Sequence, residues 1–86
     1  MELVDVKKNP KYRVRKVNGI IYIFGDGTSY KINETGLEIW KRIGKVSCVQ
    51  EMCDEIYELY DIERKDLENY VICFVEELIK LNVIFQ

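Results

Sequence analysis

The sequence predicts an α+β fold in one domain: a three-stranded antiparallel sheet followed by three helices, βββααα. Three observations carry this. Residues 12–32 are dense in Val, Ile, Tyr and Phe and are cut twice by strong turn signals. After Asn33 the apolar residues change from an extended to a helical period. No repeat, low-complexity stretch or linker divides the 86 residues, and the intervals between elements are a few residues each.

Met1 to Lys11 carries the only proline, Pro10, and has no period of its own, so it reads as an N-terminal arm, an irregular lead-in to a domain over residues 12–86. The first strand is Tyr12 to Val17 and turns at Asn18-Gly19. The second, Ile20 to Phe24, is apolar throughout, as expected of a central strand covered on both faces. After Gly25-Asp26-Gly27 comes Thr28 to Ile32, whose alternation sends Tyr30 and Ile32 to one face and Ser29 and Lys31 to the other, as in an edge strand with one buried side.

Asn33 is a good N-cap for a first helix with Leu37, Ile39, Trp40 and Ile43 on its apolar side, closed by Gly44 in the left-handed conformation. Ser47-Cys48-Val49-Gln50 has the form of a capping box and opens a second helix, in which Val49, Met52, Cys53, Ile56, Leu59 and Tyr60 recur on the core face. Asp61 can cap a third helix from about Glu63 to Leu81, with Val83-Ile84-Phe85 leaving it as an apolar tail.

Composition narrows the function. An apolar fraction of 48 % is well above that of disordered chains, so the domain should fold alone. Met1 to Lys45 holds 10 Lys and Arg against 5 Asp and Glu, and Val46 to Gln86 holds 3 against 10, so a net charge of −2 conceals halves of +5 and −7. Such a chain can attract an oppositely charged partner to either face, but its overall balance argues against broad phosphate-backbone binding. No apolar run is long enough to span a membrane and no signal-peptide pattern opens the chain, which makes the cytoplasm the expected location. Three cysteines without framework spacing fit reduced thiols, with Cys53 and Cys73 as small core residues.

The chain has no histidine, which removes the commonest acid-base group and the commonest zinc nitrogen ligand. Gly25-Asp26-Gly27 precedes a strand, whereas phosphate loops open a helix. Acid pairs such as Asp54-Glu55 and Glu76-Glu77 sit among many others on helix surfaces. The expectation is therefore no enzyme, no cofactor and no metal.

The third helix carries more apolar surface than one contact face uses. Leu67, Val71, Phe74, Leu78 and Leu81 form a stripe suited to the core, while Ile72, Val75 and Ile79 form an adjoining one bordered by Lys65, Glu68, Asn69 and Glu76. The second stripe is covered either by the chain itself (the first strand, the arm or Val83 to Phe85) or by a guest. In the latter case an extended peptide pairs its backbone with Thr28, Ser29, Tyr30, Lys31 and Ile32 and rests its side chains on the helix.

From about Tyr12 to Phe85 the chain resembles the PqqD-like family, recognition elements in the biosynthesis of ribosomally made, post-translationally modified peptides. The resemblance is densest at Tyr30-Lys31-Ile32-Asn33-Glu34-Thr35-Gly36-Leu37-Glu38-Ile39-Trp40, and continues through Ile43-Gly44, Ser47, a tyrosine at 57 or 60, Phe74-Val75-Glu76-Glu77-Leu78 and Asn82-Val83-Ile84. Asn82 stands where the family usually has glycine, and Tyr70 where it often has aspartate. The resemblance implies a winged helix-turn-helix-like fold that binds the leader region of a precursor peptide as an added strand, between the third strand and the third helix. It implies presentation of that leader to a modifying enzyme, foremost a radical S-adenosylmethionine maturase. Carried over by position, the strand edge is Thr28 to Ile32 and the helical wall is Lys65, Glu68, Asn69, Ile72, Val75, Glu76 and Ile79. The alternatives are a winged-helix nucleic-acid-binding protein, opposed by the acidity of the third helix, and a structural docking subunit of a larger enzyme. A monomer or weak homodimer is expected, since a free strand edge invites pairing.

Overall fold

The computed structural model describes all residues, 1–86. Its elements in order are β1 (Lys7–Lys8), β2 (Tyr12–Val17), β3 (Ile20–Gly25), β4 (Thr28–Ile32), α1 (Glu34–Arg42), α2 (Val49–Tyr57), α3 (Arg64–Lys80) and β5 (Ile84–Phe85). β2, β3 and β4 form an antiparallel meander, and β1 pairs with β5 in a separate two-stranded ribbon. The expected three strands and three helices are therefore present.

Both hairpins of the meander turn on two residues with positive φ, Asn18 at 53° with Gly19 at 80° and Asp26 at 48° with Gly27 at 78°. Two left-handed residues twist a hairpin in the same sense as its strands, which is why Asn-Gly and Asp-Gly select this turn. The turns lock the register at Val17↔Ile20 and Gly25↔Thr28. Tyr12, Val14, Ile21, Ile23, Tyr30 and Ile32 consequently share the inner face, with Ile21 and Ile23 buried. β3 is central, but it is not covered on both faces. Ile20 is exposed and Tyr22 and Phe24 are only half-buried, because the core shared with the helices takes in Tyr12, Val14, Ile23, Tyr30 and Ile32 of the inner face and no residue of the outer one.

Asn33 caps α1 as expected, its side-chain oxygen accepting from the Gly36 amide at 2.8 Å. Gly44, at φ 86°, ends it. Ile39, Trp40 and Ile43 are buried and Leu37 is half-buried. The ion pair Arg42–Glu38 at 2.8 Å runs along α1, and Arg42 reaches Glu55 of α2 at 2.9 Å, tying the two helices. The hydrogen bond from Arg42 holds the Glu38 carboxyl below its ordinary range.

Two helix starts differ from expectation. Ser47 and Gln50 form no capping box: Cys48 is the N-cap, and the Ser47 hydroxyl donates to Glu51 at 2.8 Å. The reason lies in the arm. Glu2 bridges to Cys48, Leu3 N–H donates to Ser47 O at 2.8 Å, and the first amide of α2, Val49 N–H, donates to Met1 O at 3.0 Å. The arm's backbone thus takes up an orphan donor that a capping side chain would otherwise satisfy. α2 buries Val49, Met52, Cys53 and Ile56, but it ends at Tyr57, leaving Leu59 exposed in the following turn. Asp61 does not cap α3, which begins after Glu63 without a side-chain cap.

α3 ends in a Schellman arrangement, with Asn82 at φ 61°, Asn82 N–H donating to Ile79 O and Val83 N–H to Leu78 O. Its fully buried residues are Leu67, Val71, Val75 and Leu78. Phe74 and Leu81, expected in the core, are half-buried, and Val75, expected on the adjoining second stripe, is core. Cys73 is exposed rather than buried, while Cys53 is fully buried, and burial raises its thiol pKa.

The arm is no irregular lead-in. Leu3 and Val6 are among the most deeply buried side chains, and Lys7 and Lys8 pair with Phe85 and Ile84. Asn9 donates from its side chain to Asn82 O at 2.8 Å and from its backbone to Val83 O at 3.0 Å. Lys8 lies over the Trp40 ring at 5.0 Å, and burial together with the Lys45 charge lowers its pKa. Arm and C-terminal strand close the bottom of the core together.

Leu3→Ala is therefore expected to lower stability by about 2–5 kcal/mol with the urea m-value unchanged; a change below about 0.5 kcal/mol would show the arm to be dispensable. Glu38, whose folded pKa the Arg42 hydrogen bond lowers, contributes stability that is present above its unfolded pKa and is lost as pH falls through the folded one. Glu38→Gln should lower stability at pH 7 and flatten the acid limb of the stability curve from about pH 5 downward, measured by urea melts across pH.

Candidate functional site

β4 is one of the two edges of the sheet, with β3 on one side and no strand on the other; unlike β2, it leads directly into α1. In a two-residue hairpin the pair flanking the turn exchanges both backbone bonds, and bonded pairs then alternate. Thr28, Tyr30 and Ile32 thus direct their N–H and C=O groups at β3, whereas Ser29 and Lys31 direct theirs outward, where an added strand would meet them.

The wall beside this edge is built from one amide oxygen and two aromatic rings. Asn33 Oδ1, besides capping α1, accepts from the Tyr70 hydroxyl at 2.9 Å, pinning α3 to the end of β4. Tyr70 and Phe74 lie one helical turn apart with stacked rings, centroids 6.0 Å and planes 17° apart. The Phe74 ring lies against Gly36, where a Cβ would come to 2.9 Å from the ring and 3.3 Å from Ile32. Glycine inside a helix costs about 1 kcal/mol relative to alanine, and here its missing side chain is what lets the ring approach both α1 and the strand end. Tyr30 and Ile32 close the inner side, half-buried against the core.

The expected site residues divide. Thr28, Ser29, Tyr30, Lys31 and Ile32 form one edge strand as anticipated. Val75 is fully buried and unavailable to a guest. Lys65, Asn69 and Glu76 are exposed, Ile72 and Ile79 are half-buried against the core, and Glu68 is paired with Arg64 at 3.3 Å. This set follows the helical row of Arg64 and Glu68, and that row faces α2: Arg64 reaches Asp54 at 2.7 Å and Gln50 O at 3.1 Å. Tyr70 and Phe74 occupy the opposite flank. The structure therefore does not bring the expected helical set to the strand, and the aromatic pair stands there instead. Their signal in the sequence was the i, i+4 spacing of two aromatics on a flank that also carries Glu77 and Leu81.

Surface depressions lie around the groove rather than across it. One of about 280 Å³ sits at the foot of β4 between Ile20, Lys31, Ile32 and Glu34. Another, of about 420 Å³, lies on α3 between Cys73, Glu77 and Lys80. A third, of about 480 Å³, lies on the outer face of the sheet. No cluster of three or more His, Cys, Asp or Glu side chains is gathered for a metal ion, and no helix is long and apolar enough to cross a membrane.

Residues 13–84 match the family described as Coenzyme PQQ synthesis protein D (PqqD). The chain belongs to the PqqD family. Two solved structures share the fold of this PqqD family member. TbiB1 in complex with the TbiA(beta) leader peptide is 18 % identical, with a TM-score of 0.73 over 91 % of this chain and 93 % of that one. Lasso peptide synthetase B1 complexed with the leader peptide is 20 % identical, with a TM-score of 0.74 over 93 % and 95 %. Among curated proteins, none matches the chain in sequence.

The shared acceptor at Asn33 makes a measurable coupling. Tyr70→Phe should lower stability by about 1 kcal/mol and Asn33→Ala by about 1–3 kcal/mol, while the double variant falls short of their sum by about 0.5–1.5 kcal/mol. Strict additivity in urea melts would refute the link.

Proposed function

We propose that this PqqD family member is a non-catalytic recognition element that takes the leader region of a precursor peptide as a fourth strand on β4 and presents it to a modifying enzyme. The observation that carries the reading is the free edge at Ser29 and Lys31, standing beside the Tyr70–Phe74 wall. An extended guest gains main-chain hydrogen bonds from Ser29 and Lys31, and its alternate side chains turn inward against Ile32, Tyr70 and Phe74. The two similar structures, both solved with leader peptides, support this reading. The absence of histidine and the paired or solvated state of the carboxylates fit binding rather than catalysis. A radical S-adenosylmethionine maturase is the partner enzyme that the family resemblance favours, and the cytoplasm, where Cys48, Cys53 and Cys73 stay reduced, is the setting.

Titrating the precursor peptide encoded beside this chain into labelled protein should move amide signals of Thr28 to Ile32 and of the turns around Tyr70 and Phe74. Scattered shifts, or none, would refute the reading. Lys31→Pro removes one outward donor while sparing every bond to β3, so it should weaken the peptide about tenfold without loss of fold.

A further inference from the structure

Resting on the function just proposed, we infer that the outer face of the β2–β3–β4 sheet is a second interface, which docks on an acidic protein surface of the enzyme that modifies the guest peptide. The pairing register sends eight side chains to this face, and none of them is an acid. Arg13, Arg15 and Lys31 are exposed, and none is in a salt bridge within the chain. Between them lies an apolar centre. Val17 is 46 % and Ile20 37 % exposed, Tyr22 and Phe24 are half-exposed, and the Arg15 guanidinium sits 5.9 Å from the Phe24 ring. Arg15, Val17, Tyr22, Phe24 and Ser29 enclose the depression of about 480 Å³. Tyrosine, arginine and phenylalanine around a shallow apolar pocket are the composition of the energetic centre of a protein interface.

Within residues 1–86 no element covers this face. The helices pack on the inner side, and arm and β5 are committed to each other at the base of the core. A second copy is a poor occupant. Face to face, the arginines would repel one another, and the acidic helices of one copy against the sheet of another would give a head-to-tail contact that runs on into a ring or a filament rather than a closed dimer. Nucleic acid would find only three unpaired cations on this face, in a chain whose net charge is −2 and whose residues 46–86 carry −7. An acidic protein surface with a projecting apolar group satisfies both the charge and the pocket. The face is also continuous with β4, because the Ser29 and Lys31 side chains lie on it while their backbones form the edge. A guest strand added there widens this same face, so an enzyme seated on it touches the guest.

The test is calorimetric titration with the modifying enzyme encoded beside this chain, comparing the unaltered protein, Arg13→Glu/Arg15→Glu and Tyr22→Ala. The charge-reversed variant should keep its far-ultraviolet spectrum and bind the precursor peptide within about twofold of the unaltered protein, yet lose the enzyme by about thirty-fold or more. Tyr22→Ala should lose it by about tenfold, and enzyme binding to the unaltered protein should weaken as salt rises. Enzyme affinity unchanged in both variants, or absent in the unaltered protein, overturns the inference. So does self-association in sedimentation that the charge reversal abolishes, or binding of single-stranded polyuridylate as tight as that of the enzyme and lost in the same variant. Failure of the precursor peptide alone, with enzyme binding intact and sensitive to Arg13 and Arg15, would instead refute the leader-binding reading and leave the docking face standing.

Discussion

The Asn33 side-chain oxygen is where three elements become one object. It follows β4 directly, it accepts from the Gly36 amide in the first turn of α1, and it accepts again from the Tyr70 hydroxyl on α3. A carboxamide oxygen has two lone pairs, and both are used. The direction of the edge strand, the entry angle of α1 and the rotation of α3 about its axis are therefore set against one atom. Gly36 completes the constraint from the steric side by admitting the Phe74 ring. The result is an edge strand whose free backbone groups stand at a settled distance from an aromatic wall, which is what a strand-accepting site requires.

Much of the fold was legible because the signals were local. Asn18-Gly19 and Asp26-Gly27 are two-residue hairpin turns, Asn33 is a cap, Gly44 is a stop, and Asn82 adopts the left-handed conformation that glycine would otherwise supply. Each of these depends on φ, ψ and one neighbour. The strand of the candidate site was legible for the same reason: alternation alone marks Thr28 to Ile32 as a strand with one buried side. The helical wall was not, because periodicity gives the width of an apolar arc and leaves its centre open. On α3 the core could centre on Val71 and Phe74 or on Val71 and Val75. The choice is made by α2, which draws Arg64 and Glu68 toward it, and by Asn33, which holds Tyr70 on the other flank.

The arm and the outer sheet face mislead the sequence reading in opposite directions. Leu3 and Val6 have no period because they fill gaps in a surface made by distant elements, so their burial shows only once Val83 and Ile84 are in place. Ile20-Ile21-Tyr22-Ile23-Phe24 has the look of a strand buried on both sides, yet every helix sits on one side of it. An apolar run in a central strand does not by itself say that both faces are covered, and here Val17 and Ile20 stay exposed on the outer one.

The ribbon joining Lys7–Lys8 to Ile84–Phe85 has a further consequence, for how the molecule comes apart. It is a contact between segments separated by almost the whole chain, so it carries the largest loop-closure entropy and forms only when everything between is in position. Chain ends usually fray first, at little free-energy cost. Here release of the C-terminal strand uncovers Val83 and Ile84, and release of the arm uncovers Leu3 and Val6 together with the first amide of α2. Loosening at the base is thereby tied to loss of the whole core, and amide hydrogens near both ends should exchange with solvent through global opening.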